Sequence, residues 1–203
     1  MWWKQLEEMA QKLRDLKPEV EIAPGAKVSP KAVIKGPVYI GPGTIVDHFA
    51  IIEGPVHIGA NCIVGDGAKI RAPAHIADGT RIGRQCELRN TILKRKVSLG
   101  PQCFVCDSVV EEEAFLGAMV RTSNFRLDRQ SVSVMVDGKP VDTGLERLGA
   151  HIGARSALGI MVIIYPGRIV PRDSLFEPGI KIKKNLAPGT YVLKQELDYT
   201  PLS

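Results

Sequence analysis

Aromatic residues are scarce in this chain: Phe, Tyr and Trp together make up 5% of its 203 residues. Any sizeable core must therefore be aliphatic. No run of eighteen apolar residues occurs, which excludes an ordinary transmembrane helix. Nor does a basic-then-apolar leader open the chain, because Met1, Trp2 and Trp3 are followed at once by Lys4, Glu7 and Glu8. The four cysteines are compatible with a reducing compartment, and the chain reads as cytoplasmic with no membrane partner. Charge of one sign is not dominant either: the formal net charge is +5. Its basic clusters, Lys94-Arg95-Lys96 and Lys181 to Lys184, have no interleaved aromatics, so no nucleic-acid partner is expected. They read as solvated surface, with an anionic small molecule as the alternative.

What the chain has in quantity is glycine and proline, 20 and 14 residues, and they fall at regular intervals. Steps of six from Ile22 reach Val28, Ile34, Ile40, Val46, Ile52, Ile58, Val64, Ile70, Ile76, Ile82 and Leu88, all aliphatic. Four residues later in each hexad stand small residues such as Ala26, Ala32, Ala50, Cys62, Ala68, Ala74 and Cys86, with Ile92 ending the column. Neither a helix nor an ordinary strand has a period of six. Each hexad is one short strand plus one corner, three hexads make a coil, and coils must stack to bury their apolar faces. The expected fold is all-β, a parallel β-helix over residues 22–187, with a C-terminal tail at 188–203. The period slips by one at Leu88–Ile92 and at Val105–Val109, two five-residue elements, and resumes at Ile152.

Two segments depart from the repeat. Within residues 1–21, Leu6, Met9, Leu13 and Leu16 recur at helical spacing ahead of Pro18, which predicts a helix capping the open first coil or packing on a neighbouring subunit. Residues 122–148 form an excursion. In it Ser131 to Val136 alternates into Asp137-Gly138, a hairpin signal. Long excursions from compact repeats often carry function.

The excursion carries a resemblance. The stretch from Arg121 through Asn124 to Asp128, then Asp137 to Gly144 and Leu148 to Gly153, resembles the C-terminal half of archaeal-type bifunctional sugar-1-phosphate nucleotidylyltransferase/N-acetyltransferases. Asn90 to Leu93, Cys106 to Val110 and Pro166-Gly167 also match. That resemblance implies a left-handed coil and a homotrimer with sites in the clefts between prisms. It implies acetyl-CoA along the later coils as cosubstrate; Ala118, Lys183 and Lys184 are the candidate contacts, the two lysines as basic residues of the last coil for the CoA phosphates. An amino-sugar phosphate would be the acceptor, a histidine the general base and an asparagine an acceptor ligand. Asn124 matches the asparagine. Pro101 stands at the histidine's position, and Gln130 and Ser133 stand where the family has lysines. The nucleotidylyltransferase half has no counterpart in the residues ahead of the first hexad.

Other residues are candidates for the missing base. His48 shares a column with Asp66, Arg84 and Pro101, three coils from the proline, about 14 Å at one strand spacing per coil. His151 stands at the return from the excursion. His57 and His75, eighteen apart beneath Tyr39, read as a structural ladder. Glu111, Glu112 and Glu113 read as a solvated acidic edge. Cys62, Cys86 and Cys103 read as buried thiols, and the lone Cys103/Cys106 pair is too little for zinc, so no metal is expected. The functional expectation is an acyl-CoA-dependent acyltransferase acting on a sugar phosphate or nucleotide sugar, with its base replaced. The alternative is a non-catalytic trimer that binds a ligand or partner. A third reading, a metal enzyme like the γ-class carbonic anhydrases, would need histidines converging between subunits, which the one-edge spacing of His57 and His75 opposes.

Overall fold

A six-residue period leaves room for a two- or three-residue strand and a turn, and the chain repeats that unit from Val20 to Tyr191 with one long interruption. The structure, a computed structural model, describes residues 1–194 and 196. Half of the expected tail, residue 195 and residues 197–203, lies outside the described residues.

The strands form three parallel walls. The first runs from Val20–Ile22 through Val38–Ile40 and Val56–Ile58 to His151–Ile152 and Ile169–Val170. The second runs from Lys27–Val28 through Ile45–Val46 to Leu175–Phe176 and Thr190–Tyr191. The third begins at Val33–Lys35 and ends at Lys181–Ile182. Three longer strands, Lys69–Ile76, Glu87–Leu93 and Phe104–Val110, turn the corner from third wall to first without a break. Register is one coil per eighteen residues at the start, with Tyr39 opposite His57 and His57 opposite His75. The fold is the expected parallel β-helix, and strand pairing extends slightly beyond residues 22 and 187.

The aliphatic column fills the interior: Ile40, Ile58, Ile76, Leu93 and Ile152 have no exposed surface. Each such side chain contributes about 1.5–3 kcal/mol. The small residues Ala50, Ala68 and Cys62 are equally buried where the chain bends. At the corner between second and third walls, Phe49, Gln85, Gln102, Met119 and Met161 all take φ near +60°, the left-handed conformation the tight bend demands.

The two five-residue elements have a structural consequence. At Asn90 (φ +46°) and Asp107 (φ +49°) one residue makes the corner where Gly54-Pro55 and Ala72-Pro73 use two. Thr91 then pairs with Ala74 and points inward, while Ile92 pairs with His75 and points outward. Ile92 therefore leaves the small inward column in which the six-step places it, and Val109 follows it one coil later.

That outward apolar pair decides where the N-terminal helix docks. The helix α1, Lys4–Leu13, packs Leu6, Met9 and Leu13, together with Trp2 and Trp3, on Ile92 and Val109 and on Val132, Val134 and Leu148 of the excursion. It does not cap the first coil as expected. Val20, Ile22 and Val33 there stay exposed, and the helical stripe packs instead on the middle of the first wall, where Ile92 and Val109 face outward.

The excursion itself is a hairpin, Ser133–Val136 against Lys139–Asp142, followed by a bridge between Phe125 and Arg147. Gly149 closes it onto the wall so tightly that a Cβ would run into Ser108 Oγ and the Cys106 carbonyl oxygen.

Candidate functional site

The edge between second and third walls carries the column His48, Asp66, Arg84, Pro101, Ala118 and Ile160. Two shallow cavities flank it, of about 530 and 390 Å³; Asp66, Arg84 and Pro101 line both, and Ala118 lines the larger. Asp66 Oδ1 accepts the backbone N–H of His48 at 3.1 Å. Next to Pro101 stand Arg84 and Ala118, so no titratable imidazole replaces the one the resemblance implies at position 101. His48 is exposed and lines neither cavity.

A cavity of about 700 Å³ lies between the excursion and the last coils. Phe125, Arg126, Asp128, Val132 and Ser133 line it from one side; Tyr165, Arg168 and Lys183 line it from the other. Gly167 (φ +71°) makes this approach possible, because a Cβ there would press on Val132 and the Ser133 carbonyl oxygen. Arg168 is half-buried, and among the described residues its guanidinium donates only to backbone oxygens, to Pro166 at 3.0 Å and Ser133 at 3.2 Å. Burial, then the like charge of Arg126, pulls its pKa below the usual arginine value, although it remains charged. Arg126 is paired with Asp128, and the Lys183 ammonium sits 5.9 Å from the Tyr165 ring centre. Three cations therefore face one carboxylate. Lys184 is exposed and does not line this cavity. Arg126, Arg168 and Tyr165 were not among the sequence candidates. The signal lay in the excursion stretch itself and in the two residues flanking Pro166-Gly167.

Asn124 lies at the root of the excursion, 9% exposed, and its amide donates to Asp107. The same carboxylate accepts from Arg89 and from Asn90, each at 2.8 Å. Asn124 thus anchors the excursion and is not brought together with Pro101 in any cavity of one chain.

The other histidines lie on the first wall. Tyr39, His57 and His75 stack with ring centres 4.9 and 4.8 Å apart. His151 sits on the same outward column, further along. Its Nε2 is 3.0 Å from Glu111 Oε1, its ring lies 5.8 Å from Trp2, and it does not reach the Pro101 edge. The hydrogen bond from His151 holds the Glu111 carboxyl below the usual range.

The acidic edge is not left to solvent alone. Lys94, Arg95 and Lys96 face Glu111, Glu112 and Glu113 across one coil, each pair at 3.8 Å. Arg155 and Asp173 continue the alternation. The two clusters largely neutralise one another, though each exposed pair contributes little stability.

Cys62, Cys86 and Cys103 are buried inside the coil as free thiols. Cys106 faces outward, covered by the excursion, and burial pushes its thiol up to about 12. Cys103 and Cys106 therefore point to opposite sides of the wall. Among the described residues no group of three or more His, Cys, Asp or Glu is placed to hold a metal. None of the described helices is long and apolar enough to cross a membrane.

Stacked hexapeptide coils with one excursion over a cation-lined cavity make this chain a hexapeptide-repeat parallel β-helix. The family model "Bacterial transferase hexapeptide (six repeats)" matches residues 37–72 and 55–90. The chain is 48% identical over 120 residues to the uncharacterized acetyltransferase YaiX of Escherichia coli O6:K15:H31, covering 59% of this chain and 52% of that protein. It is 30% identical over 111 residues to a bifunctional sugar-1-phosphate nucleotidylyltransferase/acetyltransferase of Sulfurisphaera tokodaii, covering 55% of this chain and 28% of that protein. The chain thus spans about half the length of the first relative and about a quarter of the second. A UDP-N-acetylglucosamine acyltransferase of Francisella novicida aligns over 87% of this chain and 67% of its own, at 14% identity and a TM-score of 0.49.

Proposed function

We propose that the protein is an acyl-CoA-dependent acyltransferase that works as a homotrimer and acetylates a sugar phosphate or nucleotide sugar. Fold alone does not assign an activity. The observation that carries this reading is the 700 Å³ cavity under the excursion, where Arg126, Arg168 and Lys183 face a single carboxylate, Asp128. Such a surplus of positive charge suits a phosphate-bearing donor or acceptor. The relatives named as acetyltransferases support the same chemistry. Exposed Phe49, Ile160 and Met161 on the Pro101 edge, with Phe115 and Leu175 on the second wall, supply apolar surface for neighbouring prisms.

In the reaction an acceptor nucleophile attacks the thioester carbonyl, the carbon–sulfur bond breaks, and CoA leaves as a thiolate that takes up a proton. With Pro101 in place of an imidazole, an acceptor that arrives already deprotonated, such as a weakly basic amine, needs no general base at that point. One observation favours the runner-up, a non-catalytic ligand-binding trimer: Asn124 is spent on Asp107.

The test is thiol release from acetyl-CoA with glucosamine-1-phosphate, galactosamine-1-phosphate and nucleotide amino-sugars, with CoA binding measured by calorimetry. Turnover with any of them supports the transferase. CoA binding without turnover selects the non-catalytic reading, and neither binding nor turnover overturns the proposal. Light scattering giving a monomer mass would contradict the trimer.

A further inference from the structure

A fourth cavity, of about 280 Å³, lies far from the Pro101 edge, between α1 and the first wall. Its walls are Met9 and Leu13 from the helix and Ile92 and Ala77 from the coils; its polar groups are His75, Gln5, Glu8, Lys12 and Lys94. Helix geometry creates this mixture. Leu6, Met9 and Leu13 dock the helix, and Gln5, Glu8 and Lys12 form the adjacent stripe one position earlier, turned into the groove.

We infer that this groove is a second small-molecule site, shaped for a carboxylate carried on a compact apolar body. Three features point to that chemistry. His75 presents a half-buried imidazole that makes no hydrogen bond among the described residues, and stacking on His57, 14° from parallel, holds its ring plane in place. Desolvation and then the neighbouring His57 pull its pKa down to about 4; Asp78 opposes them, and Lys94 and Lys12 each add a smaller downward pull. At neutral pH it is therefore an uncharged ring that can donate one N–H.

The second feature is charge. Lys12 has no carboxylate within ion-pair distance among the described residues, and Lys94 has only Glu111, at 3.8 Å. Two ammonium groups thus border the groove against the single lining carboxylate Glu8. One carboxylate oxygen of a ligand would take the imidazole N–H and the other an ammonium.

The third is the lining itself, which is mostly aliphatic and suits an apolar body at the lower end of ligand-pocket volumes. A bare phosphate fits poorly, since the groove has neither an arginine fork nor a nest of backbone N–H groups to hold a dianion. This inference stands apart from the acyltransferase reading and shares none of its residues.

Calorimetric titration of the whole chain with benzoate, its neutral isostere benzamide and inorganic phosphate tests it, with the His75 imidazole followed by NMR. Benzoate should bind saturably and shift the His75 resonances. Benzamide should bind at least tenfold more weakly, and phosphate should not compete. The double variant Lys12→Met/Lys94→Met should weaken benzoate at least tenfold. No saturable benzoate binding up to about 20 mM, a very weak limit, would overturn the inference. So would benzoate binding that both lysine substitutions leave unchanged, or phosphate displacing benzoate.

Discussion

The imidazoles of His57 and His75 stack face to face on consecutive coils, their ring centres 4.8 Å apart. Burial lowers the pKa of His57 and, more strongly, that of His75, to about 4. Two charges cannot share such a stack cheaply, and Lys12 and Lys94 add to the repulsion. Each folded-state value lies below the unfolded one of 6.5, so the stabilisation is complete above about pH 6.5 and is lost as pH falls toward 4. Urea denaturation at pH 7 and pH 5 should show a loss on the order of 1 kcal/mol after allowance for solvent screening. His75→Phe should flatten the curve in that window. Equal pH dependence in the variant would show that the ladder is not its source.

Asp107 gathers the donors of Arg89, Asn90 and Asn124 at the root of the excursion. Asp107→Ala leaves three donors without an acceptor and puts alanine at φ +49°. The expected cost is about 3 kcal/mol by chemical denaturation. Asp107→Asn keeps the shape and one acceptor oxygen and should cost less. If both variants match the wild type, the network does not hold the excursion.

Gly149→Ala is expected to destabilise the chain by about 1–3 kcal/mol, since its Cβ would overlap Ser108 Oγ and the Cys106 carbonyl. The fault should be local. Proteolysis between residues 122 and 148 should accelerate before the coils unfold, and uniform protection of that segment would contradict the assigned role of Gly149.

Trp2 is buried, and its indole Nε1 has no hydrogen-bond partner among the described residues. Removing an unsatisfied donor offsets part of the cavity that the smaller ring leaves, so Trp2→Phe should cost no more than about 1–2 kcal/mol. Leu6→Ala, which empties the helix stripe, should cost about 2–4 kcal/mol, read as a fall in melting temperature. A large loss from Trp2→Phe would mean that the indole N–H is bonded in solution.

Lys183→Met tests the proposed phosphate-binding cavity with little effect on the fold, because Lys183 is exposed and its ammonium sits 5.9 Å from the Tyr165 ring centre. CoA affinity should fall several-fold and its salt dependence should shrink, with no change in melting temperature. Unaltered affinity would remove Lys183 from the donor site.

The amino-acid sequence by itself determined the β-helix, because a strict six-residue alternation of large and small aliphatics can be buried only by stacking coils. It also determined the His57/His75 ladder and the inward course of Cys62, Cys86 and Cys103, since eighteen residues return the chain to the same edge. Tertiary structure decided the rest. One-residue corners at Asn90 and Asp107 turned Ile92 and Val109 outward, and that surface drew the helix to the middle of the first wall. The same corners and coil register set three lysine or arginine residues against three glutamates. The folded excursion then brought Arg126 and Arg168, 42 positions apart, to one cavity and spent Asn124 on Asp107. Period reports which residues share a column, but long-range packing alone decides which columns meet.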